Sequence, residues 1–235
     1  MASVQVVEGG AVTVTVQGLR VMGIDPGLTR CGLSVVQAGR GRSVLPVAVG
    51  VARTPADADL TDRLLELSRG VSGWMDEYRP DVVAIERIFE RGNVSTVMHT
   101  AHAVGVLVLA AAERGLPVHM YTPSEAKKAI SGNGRADKKQ MTAMITRILG
   151  LSEPPKPADA ADALAIAVCH CWRAPYLARQ AEVEGRMTAQ RRRLEERHRA
   201  LAREQRLARE GGPQRAEDKR SERHQRARAL GVEAG

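Results

Sequence analysis

The stretch Val21-Met22-Gly23-Ile24-Asp25-Pro26-Gly27-Leu28-Thr29-Arg30-Cys31-Gly32-Leu33-Ser34-Val35-Val36 reads as an apolar strand that ends on one carboxylate, a Pro-Gly turn, and a second β-branched run. That is the pattern of a tight hairpin, and it leaves Asp25 at a strand end. Strands disfavour Asp because its short side chain competes for nearby backbone groups and its charge resists burial. Two readings account for it: turn chemistry before Pro26-Gly27, or a metal ligand or acid/base group. The rest of the chain has to decide between them.

Upstream, residues 2–20 hold Gly9-Gly10 and the alternating Val12-Thr13-Val14-Thr15-Val16, an extension that either pairs as an edge strand or hangs free. Downstream, Gly39-Arg40-Gly41-Arg42 marks a turn and residues 44–51 a third β-rich run, so the three runs form an antiparallel meander. Leu60, Leu64, Leu67, Val71, Trp74 and Met75 then recur at helical spacing, and Arg79-Pro80 ends that helix. Asp81-Val82-Val83-Ala84-Ile85-Glu86 is an apolar run closing on a second carboxylate, as in a buried parallel strand reached by a helical crossover. Adjacent strands ending on Asp25 and Glu86 set both carboxylates at one edge of the sheet, where open α/β sheets place their sites.

Asn93 is placed to cap a helix through Val94, Val97, Met98, Ala101, Val104, Leu107, Val108 and Ala111, closed by Gly115. This helix is small or apolar nearly all round, which predicts burial on two sides, against the sheet and against a second subunit. His99 and His102 on it read as packed or interface histidines. Residues 118–121 make a fifth strand, Ser124 caps a short helix over 125–130, Gly132-Asn133-Gly134 breaks it, and 137–149 is helical again. After the stiff Glu153-Pro154-Pro155-Lys156-Pro157 comes a last helix, with Asp159 and Asp162 three apart in its first turn. They share a face there, where the helix dipole favours anions. An acidic cap explains one of them better than it explains two.

With 235 residues and 43% hydrophobic content, the chain supports one core-bearing domain over 21–177, an extension over 1–20 and a tail over 178–235. Aromatics are only 3%, so Val, Leu, Ile and Ala build the core, and the sole Phe, Phe89, is informative. Of the net charge of +8, residues 173–235 carry +7, from 17 Lys and Arg against 10 Asp and Glu. A basic tail without an apolar face suits nucleic acid more than membrane. The tail reads as disordered or conditionally helical, with Gly211-Gly212-Pro213 stopping any helix. The longest apolar run, 104–112, is too short for a bilayer and the first residues are unlike a signal peptide, so a cytoplasmic location is expected. Cys31, Cys169 and Cys171 fit a reducing compartment, and Cys169-His170-Cys171 lacks the second ligand pair a zinc site needs.

The four carboxylates Asp25, Glu86, Asp159 and Asp162 would repel one another at a common point unless cations neutralised them. Hard oxygen donors without His or Cys select Mg²⁺ or Mn²⁺. In a two-metal site the ions stand ~3.5–4 Å apart, activating water on one side of a phosphodiester and stabilising the leaving oxygen on the other. Phosphoryl hydrolysis is the chemistry this donor set implies.

Gly23-Ile24-Asp25-Pro26-Gly27, Ala84-Ile85-Glu86 with Phe89 following, and Ala158-Asp159-Ala160-Ala161-Asp162-Ala163-Leu164-Ala165, in that order, resemble the RuvC family of crossover junction endodeoxyribonucleases over residues 21–173. The resemblance implies an α/β, ribonuclease H-like fold with a mixed five-stranded sheet flanked by helices. It also implies a homodimer that nicks opposite strands of a four-way DNA junction in recombination and repair. Two Mg²⁺ ions per subunit, replaceable by Mn²⁺, and the RuvA-RuvB branch-migration complex come with it as cofactor and partner. Residue by residue, Asp25, Glu86, Asp159 and Asp162 fall on the catalytic, metal-binding positions. Lys127 and Lys138 fall on basic DNA-binding positions, with Lys128 and Lys139 as the one-residue alternatives. Phe89 matches an aromatic that stacks on a base. Competing readings are another ribonuclease H-like nuclease, a junction-binding scaffold without chemistry, and an ATPase of the actin and heat-shock type, which needs a second Gly-rich phosphate loop.

Overall fold

The computed structural model describes residues 3–6, 12–15, 18–87 and 94–229. They form two compact units that divide between Arg179 and Gln180. In the first unit, β1 (Ser3–Val6) and β2 (Val12–Thr15) pair antiparallel as a sheet of their own, with Val4 opposite Val14 and Val6 opposite Val12. These two strands of the extension thus form a hairpin of their own and do not extend the main sheet.

The main sheet contains β3 (Arg20–Asp25), β4 (Arg30–Ala38), β5 (Val44–Arg53), β6 (Val82–Glu86) and β7 (Val118–Tyr121), in the order β5-β4-β3-β6-β7. The first three are antiparallel neighbours, while β6 runs parallel to β3 and β7 parallel to β6. This is the mixed five-stranded sheet that the family resemblance implies.

Period-two alternation assigns side chains to two cores. Met22, Ile24, Leu33, Val83 and Ile85 pack with Leu67, Val71 and Met75 of α1 (Leu60–Tyr78) and with Ala103, Leu107, Ala110 and Ala111 of α2 (Val94–Glu113). Val21, Val36, Val82, Ala84 and Tyr121 face the other way. They meet α3 (Pro123–Ser131), α4 (Lys138–Ile148) and the first turns of α5 (Ala158–Ala229). α1 ends on Arg79 in the left-handed region, φ 45°, immediately before Pro80.

Three local expectations need correction. The cap of α3 is Thr122, not Ser124: Pro123 favours an extended residue before it and fits the first helical position, and Thr122 and Glu125 close a capping box. Ser95–Glu113 of α2 is long and apolar enough to cross a membrane, although the shorter run 104–112 is not. Small neutral residues extend it, and one side of this helix belongs to the core. The third correction concerns the second unit, the part of α5 from Gln180 to Ala229. It is helical, and the stop expected at Gly211-Gly212-Pro213 is absent. Flanking Ala, Arg, Glu and Gln are strong helix formers and carry the helix through. Glu182 with Arg186 and Arg191 with Glu195 add i,i+4 ion pairs. The cap expected at Asn93 lies outside the described residues.

Candidate active site

Asp25 shares its face of β3 with Val21 and Gly23, and Glu86 shares its face of β6 with Val82 and Ala84, so both point toward α5. The parallel pairing of Gly23 with Ala84 and Ile24 with Ile85 brings the two carboxylates side by side one residue further on. β4 starts at this same end of the sheet, with Gly32 opposite Asp25. Gly32 lies directly beneath the backbone of Asp159, and Gly23 beneath Ala163 and Ala167. A methyl group at either glycine would overlap α5. The two glycines therefore seat the helix that delivers Asp159 and Asp162 over Asp25 and Glu86.

The electrostatics reflect that convergence. Burial, reinforced by repulsion from Glu86, Asp162 and Asp159, raises Asp25 to a pKa of about 7, against the pull of Lys138. Burial and then Asp162 raise Glu86 to about 7, opposed by Lys127 and Lys138. Asp162 and Asp159 each have a cationic partner: Lys138 Nζ lies 2.9 Å from Asp162 Oδ2, and Arg30 Nε donates to Asp159 Oδ2 at 2.7 Å. The hydrogen bond to Asp162 holds Lys138 above the usual lysine range. Among the described residues, no three acidic, His or Cys side chains stand close enough as they are to hold an ion. Asp159 and Asp162 are engaged by those cations.

Capping boxes on α3 and α4 fix the two lysines. Thr122 and Glu125 anchor the helix that carries Lys127, and Asp137 and Gln140 anchor the helix that Lys138 begins. Glu86, Asp162, Lys127 and Lys138 line one cleft, walled on its apolar side by Pro123, Ala126, Met141 and Ala165. Lys128 and Lys139 are not among its lining residues. Phe89 lies outside the described residues.

Sequence reasoning missed two features. Arg30 is one. The other is Arg63, buried in α1, whose Nη2 donates to Thr29 Oγ1 at 2.7 Å and whose Nε donates to Thr54 Oγ1 at 3.1 Å. Thr54 Oγ1 in turn donates to the Leu28 carbonyl at 2.6 Å. This network pins the turn between β3 and β4 that separates Asp25 from Arg30. A signal existed: Arg63 falls in the four-residue register of the apolar positions Leu67, Val71 and Met75. Behind the site, Cys169, His170 and Cys171 are buried, and His170 Nδ1 is hydrogen-bonded to the Tyr121 hydroxyl at 2.7 Å.

The donor set suits a hard divalent cation. It consists of four carboxylates without nitrogen or sulfur, two of them driven toward protonation by burial and mutual repulsion that a cation would relieve.

The family model "Crossover junction endodeoxyribonuclease RuvC" matches residues 21–170. The RuvC of Corynebacterium glutamicum is 78% identical over 181 residues, covering 77% of this chain and 82% of that protein. The RuvC of Mycobacterium avium is 61% identical over 173 residues, covering 74% and 92%. Among solved structures, Thermus thermophilus RuvC in complex with a Holliday junction substrate superposes with a TM-score of 0.64 at 35% identity, covering 67% of this chain and 96% of that one. By the span of that match and the closeness of these relatives, the chain belongs to the RuvC family of crossover junction endodeoxyribonucleases.

Proposed function

We propose that this chain resolves four-way DNA junctions by nicking opposite strands in symmetric pairs, with Asp25, Glu86, Asp159 and Asp162 holding two Mg²⁺ ions per subunit, or Mn²⁺ in their place. Family membership carries the coarser point, a DNA endonuclease dependent on a divalent metal. The observation that supports the finer reading is the pair of carboxyls raised to about 7 at one sheet edge, with two lysines in the same cleft. Asp25, Glu86, Asp159 and Asp162 would hold the divalent ions, whose chemistry there would be activation of a water and stabilisation of the leaving oxygen. Lys127 and Lys138 hold phosphate beside the carboxylates, and Phe89 stacks on a base at the junction. Close seating of α5 on Gly23 and Gly32 holds the backbone that carries Asp159 and Asp162 against β3 and β4, while the carboxylate side chains adjust to the ions.

Paired cutting needs two equivalent sites, which a twofold homodimer supplies. α2 is the surface for it: Met98, Ala101, His102, Gly105 and Leu109 are exposed along one side, with Leu109 at 58%. Replacing Leu109 with Asp should convert a dimeric mass to a monomeric one and uncouple the two nicks. An unchanged mass would remove α2 from the interface. On this reading the chain acts in the cytoplasm, with the RuvA-RuvB branch-migration complex as a partner.

The direct test compares cutting of a four-way junction, a linear duplex and an RNA hybrid, each with Mg²⁺ and with chelator. Only the junction with Mg²⁺ should be cut. Asp25→Asn should abolish cutting and preserve junction binding. Cutting that survives chelation, or binding lost together with cutting, would overturn the assignment of the carboxylates to metal.

A further inference from the structure

Arg30 opens β4 on the sheet face that α5 covers, two residues before the glycine beneath Asp159. Its side chain is partly exposed, at 43%, and that of Asp159 at 26%. The backbone beneath it is held by the Thr29–Arg63–Thr54 network, so the side chain can swing while its anchor stays fixed. An oxygen that accepts from a guanidinium at 2.7 Å has that lone pair engaged and cannot offer it to a metal ion. The planar guanidinium fork also matches a phosphate. Among the described residues, Asp25 and Glu86 have no such guanidinium partner, so within the quartet this contact singles out Asp159.

We propose that Arg30 is a positioning residue for the reaction. It is the resident counter-ion of Asp159, competes there with the divalent ion, and releases the carboxylate when a DNA phosphate draws the guanidinium away. Metal loading is thereby coupled to substrate binding. This rests on the reading of Asp159 as a metal ligand. Coupling of this kind is reciprocal, so junction DNA raises metal affinity and metal raises DNA affinity by the same factor. Taking Arg30 away shrinks that factor from both sides.

The experiment is a Mn²⁺ titration followed by electron paramagnetic resonance. It uses the full chain, alone and bound to a four-way junction whose crossover linkages are phosphorothioates that resist cutting. Without DNA, Arg30→Gln should bind Mn²⁺ about fivefold more tightly than the parent, the fold-change that ~1 kcal/mol for a part-exposed ion pair gives. The extra affinity contributed by the junction should fall correspondingly. Arg30→Lys, which keeps the charge, should stay near the parent, and matching melting temperatures would show that all chains are folded. Asp159→Asn separates the two layers of the inference. If it weakens Mn²⁺ binding while Arg30→Gln leaves it unchanged, the counter-ion role of Arg30 is wrong. If Asp159→Asn leaves Mn²⁺ binding unchanged, the metal-ligand reading itself falls, and the proposal with it.

Discussion

Replacing Gly32 with Ala should cost more activity than stability. The added methyl would overlap the carbonyl oxygen of Asp159 and stand 2.8 Å from its carbonyl carbon and 3.3 Å from its Cβ. Because Gly32 pairs with Asp25 of β3 on one side and with Val51 of β5 on the other, the strand cannot retreat without disturbing both ladders, so the first turn of α5 must move instead. Restoring ordinary van der Waals separation takes a displacement of about 1 Å. Overpacking of this kind costs ~1–3 kcal/mol, which for a chain of this size lowers Tm by ~2–12 °C. A catalytic group misplaced by 1 Å, by contrast, costs ~10²-fold in rate. Single-turnover cutting of a four-way junction in saturating Mg²⁺, alongside thermal unfolding, separates the two effects. Gly73→Ala is the control, since a methyl there meets nothing within 4 Å inside α1 and should stabilise by ~1 kcal/mol with no change in rate. Cutting by Gly32→Ala at the parent rate would refute the reasoning. It would mean that α5 does not rest on β4, or that the position of Asp159 is unimportant to the chemistry.

In chelator, Asp25→Asn should raise Tm by a few degrees at pH 8 and leave it nearly unchanged at pH 4. A carboxyl whose pKa rises to about 7 on folding contributes stability below its unfolded pKa and loses it as the pH climbs through 7, and Asn has no charge to lose. Saturating Mg²⁺ should cancel the advantage at pH 8. Arg63→Met removes the donors held by Thr29 and Thr54, and should cost ~2–3 kcal/mol by urea unfolding, with a loss of cutting as the β3–β4 turn loosens. An unchanged urea midpoint would show that the network contributes nothing. Truncation after Arg179 removes 15 Lys and Arg against 10 Asp and Glu. It should flatten the salt dependence of duplex binding by ~0.9 log units for each phosphate the shortened chain no longer neutralises, while cutting at low salt persists. An unchanged slope would leave the tail without a role on DNA.

The strand-ending carboxylates were legible in the chain because each closes an apolar run, and the period of a strand fixes which face its last residue takes. Asp159 and Asp162 were legible because helical spacing puts residues three apart on one face. The meander, the crossover and the parallel strands follow from the same local periodicities. Lys127 over Lys128 and Lys138 over Lys139 were undecidable in sequence. One residue rotates a helical side chain by about 100°, and only the packing of α3 and α4 against the sheet shows which member of each pair lines the cleft. The true cap of α3 needed the Thr122–Glu125 geometry. Helicity through Gly211-Gly212-Pro213 ran against local propensity.

Above all, Arg30 and Gly32 have no distinguishing neighbours in the chain, and Arg63 is marked only by its place in the apolar register of α1. Their meaning lies in pairings separated by up to 129 residues, where α5 lies over β4 and Asp159 meets the guanidinium. The sequence by itself determined which side chains are candidates for the chemistry and at which ends of which elements they stand, because strand and helix periods are local properties. Tertiary structure alone decided how closely they approach and what neutralises them, because charge repulsion, burial and the clearance left by a missing methyl exist only between elements that have packed.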